Sequence, residues 1–185
     1  EMTASEATVL SANRATFRYV DVEDRLLATL SGASGEQAVL LFTRRLVTLL
    51  VNSLAGILEK SSPVATRAPE EMRDDIVLME HQGALAHNAS APDAANAPPP
   101  AGPAPASAGT SIPARLIRTV NITTNPTNFV LRFQPQPGEG AELVMNRVEL
   151  HRLVELLKRF SEQAGWNLQI DAAWLETGSA QLTLN

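Results

Sequence analysis

The chain has 185 residues, 44% of them hydrophobic, a formal charge of −5 and no cysteine. That length suits one substantial domain or two small ones, and the missing thiols exclude disulfides, thiolate zinc sites and cysteine nucleophiles. The longest apolar stretch, Leu46 to Leu58, is broken by Thr48, Asn52, Ser53 and Gly56 and falls short of a membrane span of about 20 residues, so no membrane insertion is expected.

In chain order, residues 1–13 read as an N-terminal tail without a basic region and apolar core of the secretory type, and a cytoplasmic location is expected. Ala15 to Val20 alternates with Phe17 and Tyr19 on one side, the period of a strand. Asp21 to Asp24 reads as a turn, and Leu26, Ala28 and Leu30 continue the alternation. Ser31 to Gly35 forms a glycine-containing loop before a third strand with Ala38, Leu40 and Phe42 on one face. Thr43 stands at a helix N-cap position; Leu46, Leu49, Leu50, Leu54, Ile57 and Leu58 then recur at helical spacing until Pro63. Residues 14–62 are therefore expected to form a βββα module.

Residues 68–87 predict an acidic amphipathic helix. Pro69 suits a first turn, Glu70, Glu71, Asp74 and Asp75 favour an N-terminal end, and Met72, Ile76, Met79, Gly83 and Ala86 share a stripe. Residues 88–113 are an Ala/Pro-rich linker, an extended tether with no core of its own.

Residues 114–165 repeat the first module. Pairing Leu26 with Phe129 and running to Glu59 and Glu162 aligns 34 positions at a constant offset of 103, nine of them identical: Gly35/Gly138, Glu36/Glu139, Ala38/Ala141, Leu40/Leu143, Arg44/Arg147, Leu50/Leu153, Val51/Val154, Leu54/Leu157 and Glu59/Glu162. Typical residue frequencies would give about three. Val120 and Ile122 stand in the places of Phe17 and Tyr19, Thr124 to Thr127 takes the turn, and Asn146 is the second helix cap. In the extension, 166–185, Trp166, Leu168 and Ile170 alternate and Ala180 to Leu184 suggests a last strand. The expected fold is α+β: two tandem βββα modules, each an antiparallel sheet backed by a helix, paired about a pseudo-two-fold axis.

The residues offer little chemistry. His81, His87 and His151 lack the spacing of a metal site and are expected on solvated helix surface. Glu23/Asp24, Glu70/Glu71 and Asp74/Asp75 are adjacent in sequence, which does not bring two carboxylates onto one cleft. Ser31 to Gly35 precedes a strand, where a phosphate cradle would precede a helix. No catalytic, cofactor-binding or metal-binding residue is assigned. Arg44 and Arg147 recur just inside each helix N-terminus, where a cation opposes the macrodipole; pairing with Glu36 and Glu139, or contact with a partner, would account for them.

The candidate partner-binding residues are thus Arg44, Arg147, Glu70, Glu71, Asp74 and Asp75, and the expected function is a non-enzymatic protein-interaction or assembly module, with another protein or a second copy as partner. One alternative is a single-stranded nucleic-acid binder, since tandem modules of several strands followed by a helix are similar, at that coarse level, to the Whirly and Pur-alpha architectures. Low aromatic content, 4%, and near-neutral repeats (+1 in 14–60, +2 in 113–165) weigh against it. A second alternative is an enzyme with its site between the modules.

Overall fold

The computed structural model describes residues 9–86 and 113–180, with side chains through Glu176. Seven strands and four helices follow one another as β1 (Val9–Val20), β2 (Arg25–Gly32), β3 (Gln37–Phe42), α1 (Arg44–Ser61), α2 (Glu70–Ala86), β4 (Arg115–Leu116), β5 (Thr119–Thr124), β6 (Phe129–Gln134), β7 (Gly140–Met145), α3 (Arg147–Gln163) and α4 (Ala173–Ala180). His87, the bulk of the expected linker and the expected strand from 180 to 184 lie outside the described residues or at their edge.

Two antiparallel sheets were expected, and one mixed sheet is found. Its order is β4-β3-β2-β1-β7-β6-β5. The two meanders, β1-β2-β3 and β5-β6-β7, join where β1 runs parallel to β7. That join uses Val9 to Ala12, so the segment read as a tail supplies the start of the first strand. The sheet curls until its edges meet: Ile117 N–H donates to Leu41 O on β3, and the next residue, Arg118, donates to Gln134 O on β6. Curling places the alternating apolar residues inside, where a sheet face can be buried without a second layer. Leu26, Ala28, Leu30, Leu40 and Phe42 meet Phe129, Leu131, Phe133, Ala141 and Leu143 there, and the rings of Phe42 and Phe133 lie 5.5 Å apart.

Several partners stand 103 positions apart. Leu26 pairs with Phe42 and Phe129 with Met145; Ala12 pairs with Leu143 in one parallel join and Arg115 with Leu40 in the other. The first strand departs from this register. Phe17 faces Ala28 whereas Ile122, not Val120, faces Leu131, so β5 is displaced by two residues from the expected alignment. The cause is a turn that sits one residue later: Val20 and Arg25 flank Asp21 to Asp24, whereas Thr124 and Phe129 flank Asn125 to Asn128, one residue beyond the expected Thr124 to Thr127, and moving a turn by one residue moves every partner across it by two. Gly35 and Gly138 share a left-handed φ, 90° and 82°, the reason both hairpins keep glycine at that place.

Both helices start as expected. Thr43 Oγ1 accepts from Leu46 N–H, and Asn146 forms a reciprocal capping box with Glu149. The two run antiparallel and bury Val47, Leu50, Val51, Leu54 and Leu58 against Leu150, Leu153, Val154 and Leu157. After α3 the alternating Trp166, Leu168 and Ile170 lie in no strand. Instead the side chain of Asn52 on α1 holds this backbone, donating to Gln169 O (2.8 Å) and accepting from Asp171 N–H (2.9 Å). Helix α4 then seats Trp174 and Leu175 in the core.

Candidate functional site

Of the apolar stripe expected on α2, Met72, Met79, Gly83 and Ala86 face outward, and Ile76 is half-buried against the core. Val77, His81 and Ala84 are the buried residues, at helical spacing of four and three, while Met72 is 52% and Met79 70% exposed. Glu70, Glu71, Asp74 and Asp75 are all exposed on the same helix. Asp74 is close enough to Glu59 to raise that carboxyl's pKa, although burial of Glu59 is the larger cause.

His81 and His151, expected in solvent, are buried against each other. The shared α2 and α3 surface brings their Nδ1 atoms within 3.2 Å, and Trp174 packs edge-on against both rings. His81 Nε2 lies 3.3 Å from Glu155 Oε2 on α3. The hydrogen bond from His81 is the largest cause holding Glu155 below the usual carboxylate range. An ionised carboxylate only accepts, so His81 Nε2 carries a hydrogen. One hydrogen lies between the two Nδ1 atoms, and the tautomer decides which ring carries it. Nε2 of His151 is buried and has no hydrogen-bond partner; Glu80 Oε2 lies 3.9 Å away. Burial, followed by the His81 and Arg147 charges, pushes the His151 pKa down to about 3, so this imidazole is neutral at physiological pH.

Arg147 lies beside the pair. Its Nη2 donates to Glu80 Oε2 (2.6 Å) and to Leu58 O (2.6 Å), and Nη1 donates to Ser61 Oγ (2.8 Å). Glu80 Oε1 accepts from Ser62 Oγ (2.7 Å). Neither arginine pairs as expected across the hairpins: Glu139 bonds Arg115, Arg147 bonds Glu80, and the exposed Arg44 reaches Asn167 O at 3.5 Å. Each arginine sits at the start of one helix and meets carbonyls at or just past the end of its antiparallel neighbour, so a cation that opposes its own helix dipole complements the other.

Between α2 and α3 opens a cleft of about 330 Å³ lined by Pro63, Glu80, Gly83, Ala84, Arg147, Val148 and His151. Of the six expected partner-binding residues, only Arg147 lines it; the four α2 carboxylates lie toward the other end of their helix, and Arg44 is across the helix pair. Sequence spacing could not bring His81 to His151, because their contact spans 70 residues. The alignment of His151 with Thr48 was the available signal: a polar position on the same face of both helices. A larger hollow of about 680 Å³ lies where β1 meets β7 and β3 meets β4, next to Arg115, Glu139 and Glu36.

Among the described residues no group of three or more His, Asp or Glu side chains could hold a metal ion. No described helix is long and apolar enough to cross a membrane. Of the eight aromatic residues, Phe17, Tyr19 and Phe160 are half-buried and the other five are buried. Compared with known proteins, the chain matches no family model, and no curated protein and no solved structure is similar to it.

Proposed function

We propose that the chain is a non-enzymatic protein-interaction module, built from a duplicated strand-strand-strand-helix unit, whose α2 face docks a basic amphipathic helix of a partner protein. The observation that carries the reading is the outward stripe of Met72, Met79 and Gly83, flanked by four exposed carboxylates. Exposed methionines on one helix face are adaptable apolar contacts, and Glu70, Glu71, Asp74 and Asp75 supply the charge that selects a basic partner. The duplicated unit is supported by the strand pairs that recur 103 positions apart, in the hairpins and in both parallel joins.

A fluorescent Leu/Lys helical peptide of about 18 residues, some 27 Å long, is the direct probe. Anisotropy is expected to show saturable binding to the full chain that weakens with salt, that a Leu/Glu counterpart fails to reproduce, and that Met72→Ser with Met79→Ser removes. Equal binding of the peptide to the double variant would defeat the reading. Abolition by that variant of a dimer seen in light scattering would transfer the face to a second copy of the chain.

A further inference from the structure

We propose that the hollow of about 680 Å³ where β1 meets β7 and β3 meets β4 binds a small organic cation, a guanidinium on a short apolar body, through the carboxylate of Glu36. The observation behind it is an asymmetry between residues 103 positions apart. Glu36 and Glu139 are identical in the repeat and line the same hollow. Glu139 is paired with Arg115. The residue that the same offset sets against Arg115 is Ala12, and the two hold equivalent places in the parallel joins, Arg115 opposite Leu40 and Ala12 opposite Leu143. One carboxylate thus receives its cation from the chain, and the other does not. Among the described residues the Glu36 side chain forms no ion pair and no hydrogen bond.

The surrounding groups narrow the ligand. Glu36 is exposed, yet its carboxylate lies along the wall: a Cβ on Gly32 would stand 2.7 Å from Glu36 Oε2, 3.0 Å from Leu10 Cδ1 and 3.2 Å from Ser11 O. A carboxylate oxygen, a backbone carbonyl and a methyl group therefore meet at one spot, which suits a cation rich in donors on an apolar stem. Two carboxylates and one guanidinium line the hollow and leave one negative charge, so an anion is repelled and a single cation restores neutrality. A metal ion fits poorly, because no three His, Asp or Glu side chains among the described residues converge here. A guanidinium suits the place better than an ammonium, since its planar fork gives a carboxylate two parallel N–H donors and it is the more weakly hydrated. Val9, Leu10, Ala38 and Val39, all half-buried, supply the apolar wall for the body of the molecule. The volume falls within the range of roughly 300–1,000 Å³ of small-molecule sites, and the mouth of a curled sheet is a usual place for one.

This inference rests on the duplicated unit of the reading above and not on its docking face, which concerns Met72 and Met79.

The probe is n-butylguanidine, read by the methyl resonances of Leu10 and Ala38. Titration of the full chain is expected to shift both saturably at millimolar concentration, more weakly as salt is added. Pentanoate, of similar length and opposite charge, is expected to leave them in place, and n-butylamine to bind at least threefold more weakly. Because Glu36 is exposed, Glu36→Gln keeps the parent's melting temperature and is expected to weaken n-butylguanidine at least tenfold. Glu142→Gln, which removes a carboxylate paired with Arg132 outside the hollow, is expected to bind like the parent. The Met72→Ser, Met79→Ser variant is expected to keep n-butylguanidine whatever becomes of the helical peptide, so the two readings fail separately. The proposal is overturned if n-butylguanidine gives no saturable shift, if pentanoate or n-butylamine matches it, if Glu36→Gln binds like the parent, or if Glu142→Gln loses as much as Glu36→Gln. A capped Ala-Arg-Ala peptide that bound tenfold more tightly than n-butylguanidine would assign the site to an arginine of a partner protein and overturn the small-molecule reading.

Discussion

Arg147 and Arg44 occupy equivalent positions and have different surroundings, which makes them the sharpest test at the residue scale. Arg147 is a quarter exposed, binds Glu80, Ser61 and Leu58 together, and ties the end of α1 to α2 and α3. Arg147→Met strands the Glu80 carboxylate beside a carbonyl and is expected to cost about 2 kcal/mol, less than the 3–5 of a fully buried pair because solvent reaches both partners. Arg44→Met removes one long contact at the surface and should stay within about 0.5 kcal/mol. Urea denaturation of both variants checks the contrast. The histidines set the response to acid. His151 titrates near 6.5 when unfolded and at about 3 when folded, so the unfolded chain binds the extra proton between those values. Stability is therefore full above pH 6.5 and declines as the pH falls toward 3, by up to about 1.4 kcal/mol per unit from this group. Glu155, whose folded pKa is also lowered, acts in the same direction below about 4.5. Denaturation midpoints from pH 8 to 4 should show the decline, and His151→Phe should remove most of the slope between 6.5 and 4.5. None of this was readable from the sequence, because a histidine's protonation state depends on partners that α2 and α3 bring together from positions 70 apart.

At the scale of single elements, local signals were legible wherever local physics decides the outcome. The caps at Thr43 and Asn146, the stripes of α1 and α3 and the glycine hairpins all follow from backbone hydrogen bonding and side-chain period. Helix α2 shows the limit. Its boundaries were legible, but its apolar positions supported two stripes, and the one that includes a histidine is the one that is buried. The register of β5 failed because its turn sits one residue later than the offset places it, a local shift that moves partners by two while the offset from β6 onward is unchanged. Gly140 gives a prediction at this scale. Its φ of 135° lies outside the range of L residues, and a Cβ there would come within 1.9 Å of Phe133 O. Gly140→Ala must break the β6–β7 end or shift it, at an expected cost of at least about 2 kcal/mol. Thermal unfolding measures it, with Gly56→Ala, which meets open space within α1, as the control expected to hold or raise the melting temperature.

For the whole molecule, the decisive feature is where the sheet closes. A seven-stranded sheet with free edges would expose two rows of backbone donors and acceptors, and such edges pair with other chains. Here the edges are joined by one continuous segment, because β4 adds to β3 and, only a few residues later, β5 adds to β6. The seam rests on few bonds, those of Ile117 and Arg118 and the short parallel pairing of Arg115 and Leu116. Ile117 is nevertheless 4% exposed and belongs to the common core, so opening the seam would also uncover apolar surface. The seam should therefore open only with the whole fold. Native-state hydrogen exchange tests this: the Ile117 and Arg118 amides are expected to exchange with the free energy of global unfolding, like those of β2 and β6. Exchange at the rate of the Asp21 to Asp24 turn would mean that the sheet opens there on its own. Ile117→Asp places a charge at the buried side of the seam and should expose both edges at once, so its expected signature is loss of stability together with concentration-dependent association. An Ile117→Asp variant that remained monomeric and as stable as the parent would show that closure contributes nothing to holding the two meanders together.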